Sequence, residues 1–323
     1  MLIISESLAQ QLVSIEDAID AVAAGFGAMA RGDARNYPVV REVVGHANAV
    51  YGVKAGADIA APFLGLKAGG YWPGNLAKGL TNHQSSTLLF DPETGRASAL
   101  VSANYLTGVR TGAASAIATR ALSRADASVL GIIGTGGQSA YQLRATAAVR
   151  RLTRVHAWDA SPDNTAAFGQ IVAGLGLEYV SESGPQQVAE QSDILITVTP
   201  SQKPIILREW VRPGTHISAM GADTKGKQEL DPQLVAACAI FVDEPAQALS
   251  IGECQHAFAL GLIGESDLRA VLGAVLNGTA QGRQSPEEIT LFDGTGVAIQ
   301  DLVVAELAVR RARESGQGVM VDY

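Results

Sequence analysis

The sequence has few cysteines, few aromatic residues and few charges. Only two of its 323 residues are cysteine, Cys238 and Cys254, which is too few for a disulfide framework. Neither the cysteines nor the five histidines show the spacing of a metal site, so we expect no metal. Charged residues make up 17% and apolar residues 47% of the chain, a balance that excludes an intrinsically disordered protein.

A targeting segment and a long apolar run are also missing. The N-terminus has neither the basic region nor the cleavage site of a secretory signal. No uncharged apolar run approaches the roughly 20 residues that span a bilayer. The formal net charge of −8 argues against nucleic acid or an anionic membrane as a partner. We therefore expect a cytoplasmic protein whose partner is a small molecule.

Two different sequence patterns along the chain predict two domains. Residues 5–31 carry apolar positions at helical spacing, and 38–103 contain short β-rich runs separated by Gly, Pro and Asn. From Ser128 onward strands alternate with helices, which predicts a parallel sheet with crossovers. The fold class is thus α/β, with a Rossmann dinucleotide-binding domain at 120–298 and an α+β domain made of 1–119 and a C-terminal helical segment, 299–323.

Glycine, in contrast, is abundant, and one cluster indicates a dinucleotide site. The segment GTGGQS, which begins at Gly134, lies between an apolar strand and an amphipathic helix. Gly134 would make the tight turn, Gly136 would let the backbone approach a pyrophosphate, and the helix N-terminus favours an anion. The alternative is a plain tight turn. The predicted cofactor contacts here are Gly134, Thr135, Gly136, Gly137, Gln138 and Ser139.

Asp159 ends the next predicted strand, 25 positions beyond Gly134. A carboxylate at this place accepts the adenosine ribose hydroxyls and repels a 2′-phosphate, so we predict NAD (NADH) as the cofactor. A helix or turn cap is the alternative role. The predicted fourth strand ends at Thr197 and Thr199, which we expect to contact the cofactor because that strand end lies at the switch point of such sheets.

Several stretches taken together resemble the ornithine cyclodeaminase/mu-crystallin family over nearly the whole chain. They are LGLKAGGYWPGN, LLFDPETGRASALV, RTGAASA, IIGTGGQSAYQL, HISAMGADTKGKQEL and FDGTGVAIQD. The resemblance implies a homodimer paired through the N-terminal domain, with a substrate site between that domain and the Rossmann domain. It also implies imine and amino acid chemistry: cyclodeamination of ornithine, alanine dehydrogenation or ketimine reduction. Thr111, Met220 and Gly221 lie in these stretches and are further expected cofactor contacts.

The same resemblance implies roles for three cations. Arg41, Lys67 and Arg110 match the residues that hold the substrate α-carboxylate in the family, and we also expect Lys67 to act in catalysis. Three cations on separate segments could form an anion site without reference to the family, since Arg offers a planar fork and Lys a point charge. A solvated surface cation is the alternative for each.

Asp223 matches the acid that the family uses for proton exchange with the substrate nitrogen, and a helix N-cap is its alternative role. Gly294 begins a Gly-Thr-Gly segment that would bring backbone close to the nicotinamide or substrate, or would simply form a turn. His83 matches a polar strand start and is expected to face the substrate, a surface position being the alternative.

Lys54, on the strand that precedes that of Lys67, suggests which substrate is used. Cyclodeaminases that accept ornithine are expected to carry an acid in this region, whereas this chain carries a cation. If Lys54 points inward, a substrate with two carboxylates fits best, and reduction of iminosuccinate to L-aspartate is the leading prediction. An ornithine cyclodeaminase, an alanine dehydrogenase and a crystallin-like NAD(P)-binding protein without activity remain alternatives.

Overall fold

The computed structural model describes the whole chain, Met1–Tyr323, and contains 18 strands and 11 α-helices. The strands are β1 (Leu2–Ile4), β2 (Ala34–Asn36), β3 (Val40–Val43), β4 (Val50–Asp58), β5 (Phe63–Tyr71), β6 (His83–Phe90), β7 (Ala97–Ser102), β8 (Val129–Ile133), β9 (Arg154–Trp158), β10 (Glu178–Ser181), β11 (Ile194–Thr197), β12 (Gln202–Ile206), β13 (His216–Ala219), β14 (Gln228–Leu230), β15 (Ala239–Val242), β16 (Leu268–Val271), β17 (Thr290–Asp293) and β18 (Val319–Met320). The helices are α1 (Glu6–Leu12), α2 (Ile15–Arg31), α3 (Asn104–Leu122), α4 (Ser139–Val149), α5 (Pro162–Gly174), α6 (Pro185–Gln191), α7 (Pro232–Ala236), α8 (Pro245–Ser250), α9 (Gln255–Ala259), α10 (Leu272–Leu276) and α11 (Ala298–Ser315). No helix is long and apolar enough to cross a membrane.

The chain divides into two compact units. Unit 1 comprises Met1–Arg110 and Val297–Tyr323, and unit 2 comprises Thr111–Gly296. The division lies inside α3, whereas the sequence placed it after residue 119. No change of composition marks the division, because a single Ala-rich helix continues through it.

Unit 1 is built on an eight-stranded sheet in the order β18-β1-β7-β6-β5-β4-β2, with β3 also paired to β4. Its pairs are antiparallel except for β1 with β7, so the sheet is mixed. The helix α11 packs along α2 and over β4, β5 and β6. C-terminal residues thereby complete a layer that begins at the N-terminus.

The two N-terminal helices have clear sequence signals. Ser14 and Asp17 form a capping box at the start of α2, in which each side chain accepts a hydrogen bond from the other residue's backbone N–H. Gly32 ends the helix with φ of 80°, a conformation that favours glycine. The helix buries one apolar face, as its period of apolar positions predicts.

Close packing of α11 on the sheet depends on Gly65 in β5. A Cβ at this position would lie 2.9 Å from Leu302 Cδ2 and 2.8 Å from the Leu88 carbonyl oxygen. A larger residue would therefore push α11 away from the sheet. This approach holds the first turn of α11 within reach of the polar side chains of β5.

Unit 2 contains an eight-stranded sheet in the order β10-β9-β8-β11-β13-β17-β15-β16, and every pair in it is parallel. The first and fourth strands of the unit, β8 and β11, are neighbours, so the strand order reverses between them. This is the doubly wound Rossmann arrangement, in which ligands bind at the carboxyl ends of the strands at that reversal. Ile133, Leu195, Ile217 and Leu291 belong to one buried core that stabilises the sheet.

Candidate active-site residues

The glycine loop after β8 has the geometry of a phosphate-binding turn. Gly134 has φ of 94°, and a Cβ there would lie 2.8 Å from both Thr199 Cγ2 and the Val198 carbonyl oxygen, so only glycine fits. A Cβ at Gly136 or Gly137 would meet no atom within 4 Å. Those two positions therefore lie open on the side where a pyrophosphate would approach.

The N-terminus of α4, which follows this loop, fits an anion. Gln138 makes no side-chain hydrogen bond to the first turn, so the turn's N–H groups have no side-chain cap. The buried Ser139 hydroxyl donates to the Gly136 carbonyl oxygen at 2.7 Å, so this small side chain fits the third glycine position. Thr135 is buried as well, and its hydroxyl oxygen has no protein partner.

Asp159 has the capping role predicted as its alternative, and its geometry is compatible with the predicted ribose contact. Its Oδ2 accepts a hydrogen bond from Thr135 N at 2.7 Å, and its Oδ1 accepts one from Ser161 N at 2.8 Å. The carboxylate therefore braces the glycine loop and caps the turn after β9. Each oxygen keeps a second lone pair, which can accept a ribose hydroxyl.

Glu229, which sequence reasoning missed, joins two neighbouring strand ends. Its Oε1 accepts a hydrogen bond from Thr199 N at 2.6 Å, while Oε2 accepts from the Thr197 hydroxyl at 2.8 Å and from Gly221 N at 2.9 Å. Thr197 is completely buried and its hydroxyl is directed to Glu229. The structure therefore favours a supporting role for Thr197 over the predicted cofactor contact.

More buried carboxylates lie behind Glu229. Glu253 accepts hydrogen bonds from the backbone N–H groups of Glu229 and Leu230, and Asp293 Oδ2 accepts one from Cys254 N at 3.0 Å. Burial raises the pKa of Glu229, and burial together with the Glu229 charge raises the pKa of Glu253 well above its usual range. Burial also raises the pKa of Asp293 to about 7. No cation forms an ion pair with these acids, so no opposite charge in contact offsets the cost of their burial.

Asp223 lies in a loop between β13 and β14. Its Oδ1 accepts hydrogen bonds from Lys227 Nζ at 2.7 Å and from the Thr224 hydroxyl at 3.1 Å. No helix begins after Asp223, so the N-cap alternative is wrong. A partly exposed carboxylate beside an ammonium group can exchange protons with solvent or a bound ligand.

Gly294 is constrained by close packing. A Cβ there would lie 2.6 Å from Met220 Sδ, and Gly294 N donates to the Ala219 carbonyl oxygen at 3.0 Å. The segment after β17 is further fixed by Asp243, which accepts hydrogen bonds from the Thr295 hydroxyl and Gly296 N, both at 2.7 Å. Gly294 thus sits against Met220, one of the expected cofactor contacts.

The substrate-binding candidates of unit 1 share one face of its sheet. Lys54 lies directly opposite Lys67 in the β4–β5 pair, so both side chains emerge on the same side. Arg41 is opposite Gly52, two positions before Lys54, and His83 is opposite Tyr71, four positions after Lys67. The alternating pleat places Arg41 and His83 on that face too. The register that the sequence left open thus brings these four residues together.

Asp301, in the first turn of α11, joins the two buried cations and was also missed. Its Oδ1 lies 2.8 Å from Lys67 Nζ and 2.9 Å from Arg110 Nε. Arg110 Nη1 donates to Gln300 Oε1 at 2.8 Å. Lys67 and Arg110 are each 7% exposed and Asp301 is 2% exposed, so the surface-cation alternative is wrong for these two. We call Arg41, Lys54, Lys67 and Arg110 the cation cluster.

Burial and neighbouring charges set the ionisation of this cluster. Burial lowers the pKa of Lys67 to about 7, helped by the Arg110 and Lys54 charges and opposed by Asp301. Burial alone would raise the pKa of Asp301, but Arg110 and Lys67 outweigh it and lower that pKa to about 2. Burial, with the Lys67 and Arg110 charges, lowers the pKa of His83 to about 4. His83 is therefore neutral at pH 7 and donates or accepts hydrogen bonds without a charge.

The remaining candidates divide between the units. Thr111 is buried in α3 at the start of unit 2, which also holds the glycine loop, Asp159, Gly221 and Asp223. The cation cluster and His83 all lie in unit 1. No group of three or more His, Cys, Asp or Glu side chains is arranged to hold a metal.

Comparison with known proteins finds relatives along the full chain. The iminosuccinate reductase of Paracoccus denitrificans is 49% identical over 322 residues, which cover 100% of both chains. Its crystal structure in complex with NAD⁺ matches with a TM-score of 0.94 at 48% identity and covers 100% of this chain and 99% of that one. The Δ¹-pyrroline-2-carboxylate reductase of Thermococcus litoralis, solved with NADH and L-proline, matches with a TM-score of 0.95 at 33% identity, covering 99% and 100%.

An archaeal alanine dehydrogenase, solved as a dimer with bound NAD, matches with a TM-score of 0.95 at 36% identity and covers 100% of this chain and 99% of that one. The sequence model of one family matches residues 2–316. The chain belongs to the ornithine cyclodeaminase/mu-crystallin family.

Proposed function

We propose that this protein is an NADH-dependent reductase that converts iminosuccinate to L-aspartate. The single observation that carries the choice of substrate is the position of Lys54 directly opposite Lys67, on the face that also holds Arg41. Three cations on that face exceed what one carboxylate needs. The Paracoccus relative, 49% identical over its full length, supports the same substrate.

The cofactor proposal rests on unit 2. The open backbone at Gly136 and Gly137, with the first turn of α4, would hold the pyrophosphate, and Asp159 would hold the adenosine ribose. The negative charge of Asp159 would exclude a 2′-phosphate, so NADH is preferred to NADPH. NADH, when bound, supplies the hydride that reduces the imine carbon.

The chain's own side chains would bind the substrate and move its protons. Arg41, Lys67 and Arg110 bind the α-carboxylate, and Lys54 binds the second carboxylate. Positioning by several charge-assisted hydrogen bonds in a buried setting accounts for much of the rate. Asp223, directly or through water, exchanges a proton with the substrate nitrogen, and Lys227 holds its Oδ1 at 2.7 Å.

The role of Asp223 gives a first prediction. Asp223→Asn keeps a side chain of the same size but cannot exchange the proton, so kcat falls by roughly 10²- to 10⁴-fold while the Kd for NADH stays within about twofold. Stopped-flow turnover and NADH fluorescence titration measure the two quantities. Near-normal turnover of the Asn variant would remove Asp223 from the reaction.

A substrate panel tests the proposed function. NADH oxidation is followed with ammonia and either oxaloacetate, pyruvate or glyoxylate, and ornithine is supplied with NAD⁺ and no reductant. We expect the fastest NADH oxidation with oxaloacetate and no ammonia release from ornithine. Faster reduction with pyruvate would point to an alanine dehydrogenase, and ammonia release from ornithine to a cyclodeaminase.

One observation argues against the cyclodeaminase. The only acid in β4 is Asp58, whose Oδ1 accepts hydrogen bonds from Ala60 N and Ala61 N, both at 2.9 Å, in the turn that follows the strand. Asp58 Oδ1 is therefore engaged in that turn and is not directed at a distal ammonium group.

A homodimer is part of the proposal. Val40 on β3 and Tyr51 on β4 are exposed apolar side chains on the sheet face of unit 1 opposite to that of Lys54. Apolar side chains exposed together on a sheet face are typical of a subunit interface. Light scattering should give twice the chain mass, and Val40→Asp with Tyr51→Asp should give the monomer mass. We also propose the cytoplasm as the location, since both cysteines are free thiols, as a reducing compartment keeps them.

A further inference from the structure

Asp301 and Gln300 occupy an unusual position among the buried groups of unit 1. Asp301 Oδ1 contacts two cations, Lys67 Nζ and Arg110 Nε, while Oδ2 is buried with no partner. Gln300 Oε1 accepts from Arg110 Nη1, and the Gln300 Nε2 atom is also buried with no partner. Two adjacent residues of α11 thus fix both buried cations through one oxygen each.

The charges of this group do not balance. Lys67 and Arg110 together carry two positive charges when both are protonated. Asp301 carries one negative charge, and its Oδ1 lies 2.8 Å from Lys67 Nζ and 2.9 Å from Arg110 Nε. Lys54 on β4 adds further positive charge around Lys67, Arg41 on β3 lies on the same face, and the neighbouring His83 on β6 is neutral. Asp301 is the anion in direct contact with Lys67, and its charge opposes the lowering of the Lys67 pKa.

We infer that Asp301 is a positioning residue that keeps Lys67 protonated and aimed at the substrate carboxylate, so that anion binding is linked to the charge state of this lysine. The inference rests on the proposed function only in taking the ligand to be a carboxylate. Asp301 acts through the two cations, because its Oδ1 contacts both of them and its Oδ2 is buried.

The linkage has a definite sign. The pKa of Lys67 is lowered to about 7, so above pH 7 an increasing fraction of the lysine is neutral in the absence of a ligand. A bound carboxylate favours the protonated form and raises this pKa, so binding at pH 8 takes up a proton. Removing the Asp301 charge lowers the Lys67 pKa further, since an opposite charge in contact contributes about one to three units.

Asp301→Asn is a clean charge variant because only one of the two carboxylate oxygens is bonded. The amide oxygen can replace Oδ1, and the amide nitrogen can occupy the place of the unpartnered Oδ2. Asp301→Glu keeps the charge. Asp17→Asn is the matched control, since Asp17 pairs with Arg311 of the same helix α11, outside the cation cluster.

The experiment measures kcat/KM from pH 5.5 to 9 at saturating NADH for the wild type and the three variants. All variants are assayed in the same buffers and at the same ammonia concentration, so the ionisation of ammonia affects every pH profile equally. We expect the midpoint of the alkaline limb of the kcat/KM profile to lie about one pH unit or more lower in Asp301→Asn than in the wild type. In Asp301→Glu and Asp17→Asn this midpoint should stay within about 0.3 pH unit of the wild-type value. Lys67→Arg, which stays charged, should lose the limb near pH 7.

A binding measurement provides the second readout. Calorimetric titration of L-aspartate and L-alanine in two buffers with different protonation enthalpies gives the number of protons taken up. At pH 8 we expect Asp301→Asn to take up more protons per ligand than the wild type and to bind at least about tenfold more weakly, with an unchanged Kd for NADH. A pH profile and proton count identical to those of the wild type would overturn the inference.

Two further outcomes separate the possible failures. Slow turnover with oxaloacetate and fast turnover with pyruvate would refute the proposed substrate, while the pH limb would still be compared with the pyruvate mixture. If Asp301→Asn does not fold, Lys67→Arg provides the test, because an arginine keeps its charge throughout the measured pH range. A Lys67→Arg profile that keeps the wild-type limb near pH 7 would overturn the inference, since Lys67 would then not be the group that titrates.

Discussion

Lys54 and Lys67 lie opposite each other on neighbouring strands, yet they sit at different depths. Lys67 is buried and bonded to Asp301, whereas Lys54 is partly exposed. We expect Lys54→Ala to reduce kcat/KM with the oxaloacetate–ammonia mixture by about ten- to a hundredfold, the worth of one charge-assisted hydrogen bond. Activity with the pyruvate mixture should change by less than about threefold.

Lys67→Ala provides the contrast, because it removes a cation assigned to the α-carboxylate that both substrates carry. Steady-state kinetics should show a loss on both mixtures. If Lys54→Ala leaves the preference for the dicarboxylate intact, the second carboxylate binds elsewhere, and the neutral His83 becomes the next candidate.

Asp159 has both a charge effect and a structural effect. The double variant Asp159→Ser with Ala160→Arg should bring the Kd for NADPH to within about tenfold of that for NADH, because the repulsion is removed and a cation is added. NADH binding should also weaken, since Ser cannot accept from both Thr135 N and Ser161 N as the carboxylate does. Fluorescence titration with each cofactor measures both effects.

Asp159→Asn separates these two effects. It removes the charge but keeps one acceptor oxygen and the side-chain size. An Asn variant that still rejects NADPH as strongly as the wild type would show that the Asp159 charge does not determine the cofactor preference.

Single residues were predictable from sequence where their type is tied to a local geometry. Gly134 was identifiable because a turn with positive φ after a strand requires glycine. Asp301 and Glu229 were not predictable, because an acidic residue next to apolar residues in the sequence is usually interpreted as a solvent-exposed charge. Their burial depends on partners far along the chain, such as Lys67 for Asp301.

Among elements, the ends of β11 and β13 depend on one side chain, Glu229. A glutamine has a single acceptor oxygen. In Glu229→Gln the amide nitrogen must therefore face either Thr199 N or Gly221 N, and that N–H group loses its hydrogen bond. We expect the Kd for NADH to rise about tenfold, in line with the loss of a hydrogen bond to a charged group. Fluorescence titration gives the Kd, and hydrogen exchange should quicken at the two backbone amides.

Glu178→Gln is the matched control for this prediction, since the exposed Glu178 side chain pairs with the exposed Arg154 side chain in the same sheet. It should leave NADH binding unchanged. A Glu229→Gln variant with a lower melting temperature but an unchanged Kd for NADH would limit Glu229 to stability.

Long periodic helices were predictable, and several short strands were not. The helical spacing at 5–31 corresponds to α1 (Glu6–Leu12) and α2 (Ile15–Arg31), and the predicted C-terminal helical segment, 299–323, contains α11 (Ala298–Ser315). The strands β1, β17 and β18 have two to four residues each and gave no period to detect. Such strands form because neighbouring strands supply their hydrogen bonds, as β7 does for β1.

At the scale of the whole molecule, unit 1 is discontinuous in sequence. Its sheet ends in β18, which pairs with β1, so the last residues of the chain bond to the first. The predicted assignment of the C-terminal segment 299–323 to the N-terminal domain agrees with this division. Sequence analysis could not fix the division within α3, since helical periodicity continues across Arg110.

The stability of the molecule should depend on pH through Asp293, which is completely buried in unit 2. Burial, together with the Asp243 charge, raises its pKa from 3.8 to about 7, against the lowering effect of hydrogen bonds from Cys254 and Glu253 N–H groups. Between these two values the folded state holds a proton that the unfolded state has released. The contribution of Asp293 to stability is therefore complete below pH 3.8 and is lost as pH rises toward 7.

Asp293→Asn removes this dependence, because Asn carries no charge at any pH and its amide oxygen can still accept from Cys254 N. Melting temperatures of both proteins should be measured from pH 5 to 8.5. As pH rises, the melting temperature of the variant should increase relative to that of the wild type. This difference should become constant above about pH 7.5, past the folded-state pKa of Asp293. The exposed Asp163→Asn variant should show a constant difference over the same range. If the Asp293→Asn difference is equally constant, the buried carboxyl is not the group that titrates on unfolding.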